Sequence, residues 1–259
     1  MNSIASTLPI RETILPTGQE EVAAAVRSAA ADATAVYPIG GATSLDFGLP
    51  AKREGVGLSL AAMNRVVDYP ARDMTITVEA GMAIADLANT LAEHRQFLPF
   101  DVPHAEIATI GGVVATNWNG PRRYGYGAVR DHVIGVHAVD GTGRAFKGGG
   151  RVVKNVAGYD FCKLLTGSLG TLGVVTQVTL KLKPMPPRSA FLAAAVRNLE
   201  QAENLLAALS RSSVTPVAIE LLAGPRWRDD PHVGPLLGES EQRRYVLAVA
   251  LEGTESEVK

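Results

Sequence analysis

Apolar and polar positions alternate in several short segments of the chain, and a period of two predicts β-strands. The clearest case is Val174 to Leu182, with the sequence VVTQVTLKL, and Met74 to Ala80, MTITVEA, is similar. Both segments are rich in β-branched residues, which pack well on a pleated surface. The same reasoning predicts further strands at 35–39, 57–60, 66–69 and 133–139.

A helical period appears in two other places. Val22 and Val26 form an apolar stripe among alanines and predict a helix over 17–31. Thr17 and Glu20 stand three apart at its start, as in a capping box. Apolar residues at 84, 87, 88 and 91 predict a second helix over 83–96, and a short helix is expected near 161–165.

Prolines at 184, 186 and 187 follow the strongest strand and mark a domain boundary. Beyond them the pattern predicts a strand at 190–196, a helix at 198–210 and strands at 216–222 and 245–251. We therefore predict one domain over 1–186, with subdomains at about 1–70 and 71–186, and the start of a second over 187–259. A β-α-β-β unit is an unfinished layer, which further chain or a partner would complete.

The composition of the chain excludes several classes of protein. Lys plus Arg number 25 and Asp plus Glu 26, so nothing points to a nucleic-acid partner. One cysteine, Cys162, cannot form an internal disulfide or hold an iron–sulfur cluster. The longest clean apolar runs have seven residues, whereas a membrane span needs about 20. No signal peptide is visible at the N-terminus, and the expected location is cytoplasmic.

Glycine is unusually frequent, with 26 residues in 259, and 15 of them lie between 111 and 173. A folded protein needs so many glycines where the backbone turns sharply or approaches a ligand. Three motifs contain most of the informative ones: IGGATSL at 39–45, ATIGGVVATNWNG at 108–120, and GYDFCKLLTGSLGTLGVV at 158–175.

Each motif has a functional and a purely structural interpretation. The first follows a predicted strand, so its amide N–H groups can form a nest for a pyrophosphate, with hydroxyl donors at Thr43 and Ser44. The alternative is a tight turn. The second motif begins as a glycine turn before an apolar stretch, suited to a flat ring or a phosphate, or to close packing alone. In the third, Ser168 and Thr171 are polar groups on a loop able to lie along a ligand.

Other candidate sites are weaker. Gly141-x-Gly143 lacks the third glycine of a dinucleotide fingerprint, and no phosphate loop of the G-x-x-x-x-G-K-[ST] type is present. The five histidines lack metal-ligand spacing, so we predict no metal site. Cys162 has apolar neighbours and is expected to be a small buried residue rather than a nucleophile. His104, Arg122 and Arg123 are better explained as surface charge than as substrate ligands.

Taken together, the three motifs resemble the FAD-binding domain shared by vanillyl-alcohol oxidase and p-cresol methylhydroxylase, over about residues 10–186. The runs NWNGPRRYGYGAVRDHVIG and VKNVAGYDFCKLLTGSLGTLGVVTQVTLKLKP look like those of glycolate oxidase FAD-binding subunits in particular. The resemblance implies an α+β fold, with two α/β subdomains that bind FAD between them. A partial ferredoxin-like cap domain follows.

The resemblance also implies cofactor contacts at matching positions. The first motif should bind the pyrophosphate, the second should pass the flavin ring and ribityl chain, and the third should flank the adenosine. The implied FAD-binding residues are Ile39, Gly40, Gly41, Ala42, Thr43, Ser44, Leu45, Pro103, Thr109, Ile110, Gly111, Gly112, Ala115, Thr116, Asn117, Gly120, Tyr124, Gly170, Thr171, Gly173, Val174 and Val175. A bulky residue at Gly41 should block the phosphate nest.

The chain also departs from the family pattern. Members that bind flavin covalently through this loop have histidine after the Gly-Gly pair, where this chain has Ala42, so the expected FAD is non-covalent. Members that are self-sufficient D-2-hydroxy-acid dehydrogenases have a His-rich metal motif in a later region that this sequence does not reach. No catalytic acid or base can be assigned.

The resemblance implies that glycolate, a small 2-hydroxy acid, is oxidised to glyoxylate. The implied partners are a homologous catalytic flavoprotein subunit and an iron–sulfur subunit, the complex lying in the cytoplasm or peripherally at the inner membrane. A self-sufficient FAD-linked dehydrogenase of another 2-hydroxy acid, such as D-lactate, is one alternative. A non-catalytic scaffold or assembly subunit is the other.

Overall fold

A computed structural model describes residues 8–150, 158–237 and 245–258. Residues 153–157, which begin the longer run used for the family resemblance, lie outside these ranges. Short 3₁₀ turns lie at Ala71–Asp73 and Pro225–Trp227. The remaining elements in chain order are β1 Ile10–Ile14, α1 Gln19–Ala31, β2 Ala35–Ile39, β3 Gly55–Ser59, β4 Val66–Asp68, β5 Thr75–Glu79, α2 Ile84–Ala92, β6 Gln96–Phe97, α3 Ile110–Thr116, α4 Arg123–Tyr126, α5 Val129–His132, β7 Val133–Val139, β8 Ala145–Gly149, α6 Phe161–Leu165, β9 Val174–Lys181, β10 Lys183–Pro184, β11 Arg188–Val196, α7 Leu199–Arg211, β12 Ala218–Ala223, α8 Gly234–Leu237, β13 Tyr245–Gly253 and α9 Glu255–Val258.

The chain divides into two compact units. The first contains the described residues up to 119 together with 128–150 and 158–184, and the second contains 120–127 together with the described residues from 185 onward. The short segment 120–127 thus belongs to a different unit from the residues on either side of it. Nothing in the local sequence pattern indicated this.

Two main sheets build the first unit. β1, β3 and β2 form a parallel sheet in that order, and β4, β5, β9, β7 and β8 form an antiparallel sheet in that order. The long strand β9 lies centrally, and its Val178 pairs with β5 on one side and β7 on the other. Its predicted alternation is explained by this position, because Val178 and Leu180 point into the core together with Ile76 and Val78.

Helix α1 packs its apolar stripe on this core, as its pattern predicts. The predicted capping pair is wrong by one residue. The helix begins after Gly18, whose backbone is extended, so Glu21 is the third residue of the helix. Its Oε2 accepts from the Thr17 N–H at 2.7 Å and from the Thr17 hydroxyl at 3.1 Å. Glu20, one position earlier, takes no part.

The second unit has the predicted β-α-β-β order, in β11, α7, β12 and β13. β13 lies in the middle of an antiparallel sheet, and β11 pairs with it over nine consecutive residues. Leu247, Val249 and Leu251 of β13 form an apolar cluster with Leu209 from α7 and Val258 from α9.

An ion-pair cluster fixes segment 120–127 to this sheet. Glu252 of β13 has a side chain only 4% exposed, and its Oε1 accepts from Arg122 Nε and Nη2, both at 3.0 Å. Its Oε2 accepts from the Tyr126 hydroxyl at 2.7 Å. Burial and the carboxylate raise the pKa of Tyr126 well above its ordinary value. The Gly125 amide adds a hydrogen bond to the Val217 carbonyl at 3.0 Å.

Candidate functional site

The first and second glycine motifs touch each other through glycine. A Cβ built on Gly40 would lie 2.1 Å from Thr109 Oγ1, and one built on Gly41 would lie 1.7 Å from the Ile107 carbonyl oxygen. Neither distance is possible for a real side chain, so the Gly-Gly pair is what lets the loop after β2 lie against residues 107–109. The predicted close approach is present; Gly40 meets the Thr109 side chain, and Gly41 meets the backbone of Ile107 and Ala108.

The third motif lies against the other end of the second. The Gly167 amide donates to the Val114 carbonyl at 2.9 Å, and the Leu169 amide donates to the Ala115 carbonyl at 2.8 Å. Gly170, at a φ of 73°, places its backbone next to Pro38 of β2. Residues far apart in sequence therefore meet in one region of the first unit, and α3 lies at its centre.

Free backbone donors form an unbroken run in the first motif. Within the described residues, none of the amides of Gly40, Gly41, Ala42, Thr43, Ser44 and Leu45 donates a hydrogen bond, and the hydroxyls of Thr43 and Ser44 have no partner. Ala42 has a φ of 56°, in the left-handed region. Successive N–H groups around a left-handed residue are the usual setting of an anion nest. This loop fits a pyrophosphate.

The start of the second motif uses its donors internally. Ile110 N–H donates to the Met82 carbonyl at 2.9 Å and Gly111 N–H to the Ala80 carbonyl at 2.8 Å, while Gly112 N–H donates to Thr109 Oγ1 at 3.3 Å. The predicted glycine turn at this place is wrong, because residues 110–116 form helix α3 with Thr109 as its N-cap.

Helix α3 has one buried face and one open face. Ile110, Val113 and Val114 are buried in the core. Gly112, Ala115 and Thr116, at the spacing of one helical face, are only partly covered. The Thr116 hydroxyl donates to the Gly112 carbonyl at 2.8 Å, so the open face has no free hydroxyl donor there. Small side chains on this face let a flat group approach the helix closely.

Two buried polar atoms at the carboxyl end of α3 have no hydrogen-bond partner in the described residues. They are Oδ1 of Asn117 and the hydroxyl oxygen of Ser168. Asn117 ends the helix in the left-handed conformation, with a φ of 49°. Buried polar atoms without partners are rare in folded proteins. Both atoms are closed off from solvent, so they mark a tightly packed contact between the second and third motifs.

The remaining predicted residues of the first unit lie on the edges of this region. Pro103 is exposed on the connection before α3, and Thr171 is exposed on the third loop, where its amide and its hydroxyl both donate to the Ser168 carbonyl. Val174 and Val175 are buried in β9. Gly173 before them is in close contact with β7, since a Cβ there would lie 2.7 Å from the Val139 carbonyl oxygen.

Gly120 and Tyr124 are the two predicted cofactor residues that belong to the other compact unit. Both belong to the second unit, where Tyr124 is largely exposed. Their place beside the cofactor, like every individual FAD contact proposed from the sequence, stays a prediction.

Cys162 has the character that its neighbours predicted. It is buried on α6, its Sγ lies 3.7 Å from the Gly148 carbonyl oxygen, and burial raises the pKa of the thiol to about 11. A thiol protonated at neutral pH is a poor nucleophile. Among the described residues, no group of three His, Cys, Asp or Glu side chains could hold a metal ion.

Sequence reasoning missed two features of the site. It did not identify the backbone of Ile107 and Ala108 as the partner of Gly41, and it named Ser168 only as a polar group on the loop. A pair of adjacent glycines after a strand signals a close approach, but not what approaches. The burial of Ser168 depends on α3, which the pattern did not predict.

Comparison with known proteins gives the same assignment over the first unit. Residues 11–149 match the family described as FAD binding domain. The chain is 40% identical over 194 residues to D-2-hydroxyglutarate dehydrogenase of Xanthomonas citri pv. viticola, covering 75% of this chain and 41% of that protein. It is 37% identical over 168 residues to glycolate oxidase subunit GlcE of Escherichia coli, covering 64% and 47%. Glycolate oxidase subunit GlcD of Bacillus subtilis is 31% identical over 212 residues, covering 82% and 45%.

The chain thus spans less than half the length of these relatives. A solved structure of alkyldihydroxyacetonephosphate synthase aligns with a TM-score of 0.77 at 23% identity, over 95% of this chain and 48% of that one, which shows the fold. No helix in the described ranges is long and apolar enough to cross a membrane. The predicted α+β class is confirmed, and with it the predicted cofactor class. The chain belongs to the FAD binding domain family, of the vanillyl-alcohol oxidase and p-cresol methylhydroxylase type that its three glycine motifs predicted.

Proposed function

We propose that this chain is the FAD-binding part of an enzyme that oxidises small 2-hydroxy acids, with glycolate, converted to glyoxylate, as the favoured substrate. One structural observation carries the proposal: three glycine motifs meet around α3, and the first offers six unused amide donors. The similarity to two glycolate oxidase subunits supports the choice of substrate.

Within this proposal the chain's own residues bind and orient the cofactor. The amides of Gly40 to Leu45 and the hydroxyls of Thr43 and Ser44 hold the pyrophosphate, because anions bind to concave groups of N–H donors. The open face of α3, at Gly112, Ala115 and Thr116, lies beside the flavin and ribityl chain. The backbone around Gly173, Val174 and Val175 flanks the adenosine. Ala42 has no nucleophile, so FAD is held without a covalent bond.

A bound flavin supplies the redox chemistry, since it accepts a hydride equivalent from the carbon that bears the hydroxyl of a 2-hydroxy acid. The protein contributes position and exclusion of water. Ile39, Ile110 and Val114 are buried directly behind the motifs and give the loops a rigid apolar support. No side chain in the described ranges is assigned as catalytic acid or base.

In this proposal the electrons leave the flavin for a partner protein. The chain has a single cysteine, and iron–sulfur clusters are usually held by four. We propose that an iron–sulfur subunit accepts the electrons and that a homologous flavoprotein subunit shares the complex. The resemblance of this one chain to both the D and the E subunits of glycolate oxidase supports an assembly of related flavoprotein chains.

A second candidate is an FAD-linked D-2-hydroxy-acid dehydrogenase with a larger substrate. The 40% identity to a D-2-hydroxyglutarate dehydrogenase favours it, as does 34% identity over 206 residues to D-lactate dehydrogenase of Anaerostipes hadrus. The FAD-binding residues would be the same in both cases. The two candidates differ in the acid that reduces the flavin and in whether partner subunits accept the electrons.

The test is a visible spectrum of the purified chain under anaerobic conditions, before and after addition of glycolate, D-lactate or D-2-hydroxyglutarate. L-Lactate serves as a control for the stereochemistry of the substrate. Acid precipitation then shows whether the flavin is released. Flavin that is released by acid and bleached by glycolate supports the proposal, whereas bleaching by D-2-hydroxyglutarate alone supports the second candidate.

Two other results would point elsewhere. Flavin that no acid bleaches, even after the partner subunits are added, would make this a non-catalytic subunit of its complex. A colourless protein that cannot be reconstituted with FAD would refute the proposal. The variant Gly41→Ala serves as a matched negative control for reconstitution, because it disturbs the contact between the first two motifs.

A further inference from the structure

The loop after β2 is held at its beginning by the second motif. Gly40 lies against the Thr109 side chain, and Gly41 lies against the backbone of Ile107. The run of free amides at 40–45, here called the nest loop, begins at this contact. A loop that is held at one end only keeps conformational freedom, which it must lose when a ligand binds.

A stacked aromatic pair lies just beyond the far end of the nest loop. The ring centroids of Phe47 and Trp118 are 5.6 Å apart, and the two ring planes are inclined by 30°. Favourable aromatic pairs have centroids about 4.5–7 Å apart. The Phe47 amide donates to the Ser44 carbonyl at 3.3 Å, so one turn of backbone joins this ring to the nest loop.

Trp118 is the fixed member of the pair. Its Nε1–H donates to the Asp101 carbonyl at 3.1 Å, and its backbone N–H donates to the Val113 carbonyl at 3.2 Å. The indole is partly buried and packs on the core of the first unit. Phe47, in contrast, is 43% exposed, and its ring is stacked on this indole.

The third motif reaches the same end of the loop. A Cβ built on Gly48 would lie 3.1 Å from Leu169 Cδ1, so the backbone after Phe47 lies against the Leu169 side chain. The Leu169 amide in turn donates to the Ala115 carbonyl at 2.8 Å. The nest loop is therefore held at both ends, and its free amides lie between the two attachments.

We infer that Phe47 and Trp118 are a positioning pair, which holds the nest loop in the shape that binds the pyrophosphate. The inference rests on the proposed function and adds two residues to it. The pair acts through the backbone of residues 44–47 and not by contact with the cofactor. Without the stack, the amides converge in only a fraction of the molecules, and the apparent affinity falls in proportion to that fraction.

The experiment compares Phe47→Ala with two control variants. Leu49→Ala removes another large apolar side chain from the same segment, but Leu49 is 89% exposed and its loss should be neutral. Phe47→Tyr keeps a ring that can stack. Apoprotein of each is titrated with FAD by calorimetry, with ADP as a competitor, since ADP contains the pyrophosphate but no flavin. The flavin absorption spectrum is recorded at saturating FAD.

Loss of the ring should weaken binding without changing the bound state. Phe47→Ala should bind FAD and ADP about fivefold more weakly, or by about 1 kcal/mol, and its flavin spectrum at saturation should match that of the wild type. Phe47→Tyr and Leu49→Ala should bind both ligands as the wild type does. The apoprotein of Phe47→Ala should melt within about 2–4 °C of the wild type, because the side chain is already partly exposed.

Tryptophan fluorescence tests the pair in the absence of any ligand. The chain has two tryptophans, so Trp227→Phe leaves Trp118 as the single emitter. In this background Phe47→Ala should shift the emission to longer wavelength, because the indole becomes more exposed to water. Leu49→Ala should leave the emission unchanged. An unshifted spectrum in Phe47→Ala would show that the rings are not stacked in solution, which would overturn the inference.

The titrations can contradict the inference in three further ways. Unchanged FAD affinity in Phe47→Ala would overturn it, and so would an equal loss in Leu49→Ala. An altered flavin spectrum at saturation, with ADP competing as in the wild type, would overturn it because the rings would then act on the flavin itself. A wild-type chain that binds neither FAD nor ADP would refute the proposed function, a result that is distinct from any difference between the variants.

Discussion

Gly41→Ala adds a single methyl group at the contact between the first two glycine motifs. Its Cβ would lie 1.7 Å from the Ile107 carbonyl oxygen, 2.5 Å from the carbonyl carbon and 3.1 Å from the Ala108 Cα. Side-chain carbons do not approach other atoms within about 3 Å, so the two loops must separate by more than 1 Å. All three atoms belong to the backbone, and no rotamer change can make room.

The free-energy cost follows from overpacking. Forcing a methyl group into a filled site costs about 1–3 kcal/mol, and each kcal/mol lowers the melting temperature of a protein of this size by about 2–4 °C. Separation of the loops also moves the free amides of Gly40 to Leu45 away from α3. We therefore expect the variant to melt several degrees lower and to lose most of its bound FAD.

This changes the physical reason for a loss of FAD at this position. The sequence predicts that a side chain at Gly41 would enter the phosphate nest itself. In the structure its Cβ direction leads to the backbone of Ile107 instead. The loss of cofactor is then indirect, through displacement of the loop.

The assay measures thermal melting of the apoprotein and flavin occupancy after reconstitution. Gly141→Ala is the matched control, because a Cβ there meets no atom within 4 Å and the backbone is not left-handed. It should melt and bind FAD as the wild type does. A Gly41→Ala variant that also keeps wild-type stability and occupancy would refute the close contact between the motifs.

Three further predictions concern single contacts of the first unit. Gly40→Ala would place its Cβ 2.1 Å from Thr109 Oγ1. In a double-mutant cycle measured by urea unfolding, the loss of unfolding free energy caused by Gly40→Ala should therefore be about 0.5–3 kcal/mol smaller in the Thr109→Ala background than in the wild type. The thiol of Cys162 has a pKa of about 11 against an ordinary 9.0, so the folded state keeps its proton longer than the unfolded state. Wild-type stability should therefore fall between pH 9 and 11 by up to about 2 kcal/mol more than that of Cys162→Ser, with FAD binding unchanged. Hydrogen bonds from Arg65 lower the pKa of the buried Glu79 carboxylate. The ionised carboxylate therefore stabilises the folded state above pH 4.5, and this stabilisation is lost as the pH falls. Glu79→Gln should remove this contribution, so its stability should fall less on acidification than that of the wild type.

Each of these predictions has an outcome that contradicts it. Additive costs for Gly40→Ala and Thr109→Ala would mean that the two side chains do not compete for space. Parallel pH curves for wild type and Cys162→Ser would show that the thiol is not protected by burial. If the stability of Glu79→Gln falls with acidification as steeply as that of the wild type, the Arg65 contact is not maintained in solution.

The local elements follow closely from the sequence. β2 and β7 have the predicted ends, since Gly40 follows the first and the turn residues Asp140 and Gly141 follow the second, and such residues end strands. The order of elements after Pro187 was also predictable, because each has its own period. The glycine motifs identified the family through residue types alone, and the FAD binding domain match confirms it.

Helix α3 could not be predicted from its own residues. IGGVVAT contains two glycines and two valines, all poor helix formers. The helix forms because Thr109 caps it and because Gly111 fits against Ala80, where a Cβ would lie 2.8 Å from both the Ala80 Cβ and its carbonyl oxygen. Tertiary contact therefore outweighs intrinsic propensity at the centre of the site.

Residue types along the chain determined which loops are able to bind a dinucleotide, because glycine lets the backbone approach a ligand closely and serine and threonine add hydroxyl groups. Only the tertiary structure decided which donors are free. The amides of Gly40 to Leu45 remain available, whereas those of Ile110 and Gly111 donate to the carbonyls of Met82 and Ala80, in the turn after β5. Whether an N–H group is satisfied depends on acceptors from distant parts of the chain, and the local sequence does not specify them.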